Sequence, residues 1–263
     1  MTRKLLPVIA LLLAAAMAAP AQATPGHLEG YVPVVANITG RKTSFWTTDL
    51  WIYQQGASVI HLWFNPAGND NTSGESVVIP LNAPVVHFTD VVKTLFNGNE
   101  IAGSLHYLAD GPVVVVSRTW TAAPDGNGTY GQTIPGIPIG RASVAGTGQA
   151  GALRMIIDQG PDVRVNVGLV NVSPVPVTTQ VEIFTADGNP APGASSIPPI
   201  DLKPFDMTQI NQILTKYVDP GTRKGLIVRV GITSGEGAIM AYATSVDWTT
   251  NDSSYQEGFR FGF

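Results

Sequence analysis

Apolar and polar side chains alternate along most of the chain beyond residue 27, with a period of two rather than 3.6. In residues 46–53 (WTTDLWIY), Trp46, Thr48, Leu50 and Ile52 fall on one side and Thr47, Asp49, Trp51 and Tyr53 on the other. A turn at Gln55-Gly56-Ala57 leads into 59–64, whose inward set is Ile60, Leu62 and Phe64, so the two runs predict a hairpin. Further strands are predicted at 31–38, 76–81, 103–108 and 112–120, the last two hinged at Asp110-Gly111. One stretch breaks the period. In 88–96, Val91, Val92, Leu95 and Phe96 share a helical face, with Thr89 or Asp90 as cap and Gly98 as stop.

The pattern then repeats. GPVVVVSRTWTAAPDGNGTYGQ at 111–132 is echoed by GEGAIMAYATSVDWTTNDSSYQ at 235–256. Aligned on that echo, Val163, Val165, Val167 and Leu169 match Trp46, Thr48, Leu50 and Ile52, and Thr179, Val181 and Ile183 match Ile60, Leu62 and Phe64. The same alignment sets 208–214 against 90–96, and Ala241-Tyr242-Ala243 against Ser117-Arg118-Thr119. Residues 140–151 (GRASVAGTGQAG) have no apolar period and read as a connection. The expected architecture is all-β with one short helix per repeat: two tandem immunoglobulin-like β-sandwich domains at 24–139 and 153–263, joined by a Gly/Ala-rich linker at 140–152. A single larger sandwich or barrel sharing strands between the copies is the alternative. The tail at 257–263 (EGFRFGF) reads as a strand closing the second sandwich.

Residues 1–23 stand apart from this pattern. Arg3 and Lys4 precede an apolar run ending in Ala21-Gln22-Ala23, the layout of a secretory signal peptide cleaved near Ala23. The remaining chain is expected to be secreted, or periplasmic or on the cell surface, with no integral membrane segment. Of 15 Lys and Arg, the 13 outside this segment face 19 acidic side chains, a formal charge of −6. That balance argues against nucleic acid as a partner, which needs clustered cations; the only short pairs are Arg41-Lys42 and Arg223-Lys224. With no cysteine, no disulfide framework and no thiol catalysis are available, so each sandwich must rest on its own core.

Candidate chemistry is sparse. The four histidines (His27, His61, His87, His106) lack the spacing of a zinc helix, and no nucleophile elbow, phosphate loop or dinucleotide fingerprint occurs. No catalytic residue, metal ligand or cofactor is assigned, and a hydrolase with a scattered site is the remaining enzymatic alternative. The loops Asn69-Asp70-Asn71, Asp125-Gly126-Asn127 and Asn251-Asp252-Ser253 each offer one carboxylate, which suits tight turns better than calcium. The hairpin is richer. With Leu50 and Ile52 inward, Trp51 and Tyr53 face out, and His61 and Trp63 are expected beside them as one aromatic binding face. The second copy has Gly168, Val170, Gln180 and Glu182 at the matching places. Arg118 and Trp120 share the outward side of their strand and read as a structural lock on the sheet surface, the arginine lying over an aromatic ring or pairing with Asp49 or Asp110.

The order FWTTDLWIY, FTDVVKTLF, VVVVSRTW and GTYGQTIPG, followed by VNVGLVNVS and AYATSVDWTTNDSSY, resembles a family of exported bacterial proteins built from tandem pairs of immunoglobulin-like β-sandwich modules. The resemblance spans residues 31–255 and implies a secreted, β-rich protein, with no catalytic residue to carry over. Trp51 and Trp63 depart from the pattern, standing where polar or aliphatic strand residues are expected. The expected function is a non-catalytic structural, adhesive or partner-binding role at the bacterial envelope or exterior, with self-association open. The alternative is a carbohydrate-binding module that uses the Trp51, Tyr53, His61 and Trp63 face.

Overall fold

The computed structural model describes residues 26–40, 44–123, 125–160, 162–194 and 197–260. The segment 1–23 expected to be a signal peptide, the Arg41-Lys42 pair and the last three residues of the tail lie outside them. The described residues are mostly β, in antiparallel sheets, as the period of two predicts, with three short α-helices among them.

In residues 26–140, strands β1 (His27–Thr39), β2 (Phe45–Gln54), β3 (Val59–Pro66), β4 (Val77–Pro80) and β5 (Val85–Phe88) precede helix α1 (Val91–Phe96). Strands β6 (Ile101–Ala122), β7 (Thr129–Pro135) and β8 (Ile137–Pro138) follow it. These eight strands form one sheet that folds into two layers, β4-β3-β6-β1-β8 and β5-β2-β6-β7, because β6 crosses from one to the other and the end of β1, Asn37 to Thr39, pairs with β2. Its first part pairs with β3 and β1, and its second part, Val113 to Trp120, pairs with β2. The two strands expected on either side of Asp110-Gly111 are therefore one strand with a bend. A Cβ on Gly111 would meet the Ala57 backbone at 2.9 Å, and the Asp110 carboxylate accepts the Ser58 and Val59 amides at 2.8 and 3.0 Å. Val32, Leu50, Ile52, Ile60, Leu62, Leu105 and Val115 fill the space between the layers.

Helix α1 keeps its expected cap, since the Asp90 side chain accepts from Lys93 N–H. Its end differs: Asn97 rather than Gly98 takes the left-handed turn (φ 53°), and its N–H and that of Gly98 satisfy Lys93 and Val92 carbonyls. The hairpin is a larger correction. Strand β2 pairs with β1, β5 and β6, and β3 pairs with β4 and β6, so the two lie in different layers. Alternation fixes which side of a strand is buried but leaves its neighbours open.

The connection at 140–152 carries β9 (Ser143–Val144) and the four-residue helix α2 (Gly148–Gly151). Then come β10 (Leu153–Ile157), β11 (Val163–Asn171), β12 (Val177–Phe184), β13 (Ile200–Leu202), β14 (Met207–Ile210), helix α3 (Ile213–Tyr217), β15 (Leu226–Ser234), β16 (Ala238–Asp247), β17 (Ser253–Glu257) and β18 (Phe259–Arg260). The layers are β13-β12-β15-β10-β18 and β14-β11-β16-β17, with β9 alongside β16. Element for element this is the order of the first half, with β15 and β16 as two strands where β6 is one. No strand pairing joins the two halves among the described residues.

Register corrects the alignment in two places. Leu50 faces Ser117 and Phe88, while Val167 faces Ala243 and Ile210. Ser117-Arg118-Thr119 therefore corresponds to Ala243-Thr244-Ser245, two residues later than the sequence echo places it. Asp90 corresponds to Gln212, since each is the left-handed residue before its helix (φ 47° and 57°). Trp51 over Val116 then corresponds to Gly168 under Tyr242: large and small residues have exchanged strands.

Between the halves lies a third apolar cluster. Tyr31 and Ile137 of the first half meet Val170, Val172, Met207, Met240 and Tyr242 of the second. The loop after β3 clasps the second half: Gly68 N–H donates to Asp206 Oδ1 at 2.6 Å, Lys203 Nζ to Gly68 O at 2.8 Å, and Asn71 Nδ2 to Phe205 O at 3.1 Å.

A Cβ on Gly168 would come within 2.0 Å of the Tyr242 ring, which is fully buried and has nowhere to move. Gly168→Ala is expected to cost about 1–3 kcal/mol by overpacking, and Tyr242→Phe, which loses only the bond to Gln209, about 1 kcal/mol. Urea unfolding checks both; a Gly168→Ala variant as stable as the parent would contradict this packing.

Candidate functional site

The outer face of the β5-β2-β6-β7 layer carries half of the expected aromatic site. Trp51 lies between His87 on β5 and Val116 on β6, and its ring stacks on His87 with centroids 4.6 Å apart. Next to it Tyr53 lies between Val85 and Val114, and these three side chains are 37–50% exposed. Further along, the Arg118 guanidinium sits 6.0 Å from the Trp120 ring and donates to Thr129 Oγ1 at 2.7 Å. Asp49 is engaged elsewhere: it accepts from Trp120 Nε1 at 2.9 Å and from the Asp90 amide at 3.0 Å, tying the sheet to the start of α1. Asp110 serves Ser58 and Val59.

His61 and Trp63 stand on the outer face of the opposite layer, so the expected four-residue face does not exist. Trp51 and Tyr53 are separated from them by the core itself. Trp63 instead joins a column across three strands, with His106 at 4.8 Å and Tyr31 at 4.5 Å beyond it, and His61 at 5.8 Å on its own strand. Phe205 of the second half stacks over His106 at 6.4 Å. His106 Nε2 bonds Glu29 Oε1 at 2.9 Å. Burial pulls the His106 pKa below its ordinary value, against the opposing pull of Glu29. Burial also raises the Tyr31 phenol well above its usual range.

A third feature was not foreseen. A cleft of about 860 Å³ runs between the halves, lined among others by Trp46, Thr119 and Gln132 on one side and Arg164, Asn166 and Gln209 on the other. Among the described residues Arg164 is the one charged residue lining the cleft, and no carboxylate or histidine lines it. Gln132 Oε1 and Ser253 Oγ, both from lining residues, are buried without a hydrogen-bond partner. Such oxygens are satisfied by water or by a ligand. Thr48 and Thr119, polar residues on a side read as inward, were the available signal; their hydroxyls bond each other at 2.9 Å beside this opening.

The oxygen-rich loops act as turns. Asp70 accepts from Thr72, Asp125 from Asn127, and Asp252 from the Ser253 amide. Among the described residues no three His, Asp or Glu side chains gather as a metal site.

The depressed His106 gives a sign to the pH dependence. Its unfolded value is about 6.5, so below that pH the unfolded chain binds the proton more readily and stability falls with pH until folded His106 also titrates. His106→Phe keeps the stack and removes the proton site. Its Tm should drop less than that of the unsubstituted protein between pH 7.5 and 5.5, and equal drops would remove His106 as the cause.

Comparison with known proteins finds no matching family model, no matching curated protein and no matching solved structure, so the site has to be read from its own residues.

Proposed function

We propose that the chain is an exported, non-catalytic partner-binding protein of the bacterial envelope or exterior, and that it docks through the open face around Trp51, Tyr53, Val85 and Val114. The observation that carries this is the exposure of Tyr53, Val85 and Val114, beside the half-buried Trp51, as one contiguous sheet face. Rigid aromatic anchors among aliphatic neighbours are the side chains that dominate protein interfaces. Among the described residues lining the cleft no nucleophile stands with an acid or base, so no catalytic role is assigned to it. Trp51→Ala together with Tyr53→Ala should weaken binding of the labelled protein to envelopes of the producing cells by about 2 kcal/mol, roughly thirtyfold, with Tm within a few degrees of the parent. Unchanged binding would overturn this assignment.

A carbohydrate reading is supported better by the cleft than by the open face. One side of the Trp51 ring is already covered by His87, whereas Trp46 lies among amides and hydroxyls that suit a neutral polyol. In a glycan array, a hit lost in Trp46→Ala and kept in Trp51→Ala is the expected pattern; the reverse would move the sugar to the open face.

A further inference from the structure

A sandwich layer has an inner face in the core and an outer face, so the two halves together present four outer faces. The junction uses two of them, and they are of unlike kinds. The β3-β6-β1-β8 layer of the first half, through Tyr31 and Ile137, meets the β14-β11-β16-β17 layer of the second, through Val170, Met207 and Met240. One face of each kind is left over. On the first half it is the Trp51 face, and register places Tyr53, Val85 and Val114 at the positions of Val170, Met207 and Met240. The second trio is 3% exposed or less, the first at least 37%. The same three positions that form a buried interface in one copy are apolar and open in the other.

The leftover face on the second half is the outer side of β12-β15-β10-β18. Leu105 faces Val32 and Phe64, and Val228 faces Met155 and Ile183, which sets the correspondence between these layers. Phe259, opposite Arg154, then takes the place of Ile137, opposite Tyr31. Ile156 takes the place of the bulge beside Val34, which packs into the junction. Phe259 is 44% exposed and Ile156 67%. Arg154 replaces Tyr31, its guanidinium folded back on the carbonyls of Ala152 and Gln149.

We propose that a second copy of this chain docks by repeating the internal junction between molecules, the Ile156 and Phe259 face of one copy seated on the Tyr53, Val85 and Val114 face of the next. The proposal rests on the docking assignment above and names its partner. The contact joins unlike faces, so each added copy exposes a fresh pair, and assembly is head-to-tail: an open chain, or a ring if the rotation closes. A two-fold dimer through the Trp51 face alone would leave Ile156 and Phe259 without a role.

The test is complementation between two blocked variants of the exported form, residues 24–263, by sedimentation velocity. Val114→Glu blocks one face and Ile156→Glu the other; both side chains are exposed, and an unchanged Tm verifies folding. Expected are concentration-dependent oligomers of the parent, at least tenfold weaker self-association in each variant alone, and a heterodimer that stops at two chains when the variants are mixed. A monomeric parent at all concentrations overturns the proposal, and so does an Ile156→Glu variant that associates like the parent. Envelope binding measured on the same samples separates the two ideas. If a monomeric parent loses that binding on Val114→Glu, the docking face stands without self-association; if Val114→Glu binds as the parent does, the face itself falls.

Discussion

Tyr242 lying flat over Gly168 is the contact on which the arrangement of this molecule turns. A β-layer in a sandwich hides one side in its core and leaves the other to water or to a neighbour. In the second half, removing the side chain at 168 lets the Tyr242 ring lie down on the sheet, and the smooth apolar surface that results accepts Tyr31 and Ile137. In the first half the same pair of positions holds Trp51 and Val116, and that surface stays open. The two halves present equivalent faces, and at this pair of positions large and small residues are exchanged between them.

Polar contacts then orient the junction that the apolar cluster creates. Asp206 is buried, yet its carboxylate accepts the amides of Gly68 and Met207, so the charge is met by donors rather than stranded. The loop after β3 thus serves as a clasp, with its asparagines spent on backbone groups of its own turn and of Phe205. His106 sits under this clasp between Tyr31, Trp63 and Phe205, which is why burial governs its titration even with Glu29 in contact. The cleft beside the cluster is the part of the junction left unfilled, lined by amides and hydroxyls together with Arg164 and Trp46.

Much of this was legible beforehand. Alternation identified the buried sides of β2, β3 and β6, the apolar face and cap of α1, and the fact that the chain says its pattern twice. Those features are local, because side-chain direction along a strand and the first turn of a helix depend on near neighbours. The echo also slipped by two residues at β16 and missed the start of α3, since similar small and β-branched residues fit several registers equally well until a partner strand selects one.

The sequence by itself determined that the chain is all-β, which side of each strand enters a core, and that an aromatic surplus sits on Trp51, Tyr53, His61 and Trp63. Only the tertiary structure decided that these four do not meet. Adjacent strands in a chain need not be adjacent in a sheet, and β2 and β3 pass to different layers because β6 takes the place between them. The same long-range pairing buried one copy of the docking face, opened the other, and brought Trp46 and Gln132 opposite Arg164 and Asn166 across the cleft. No window of sequence contains those contacts, because their partners lie more than a hundred residues apart along most of the junction.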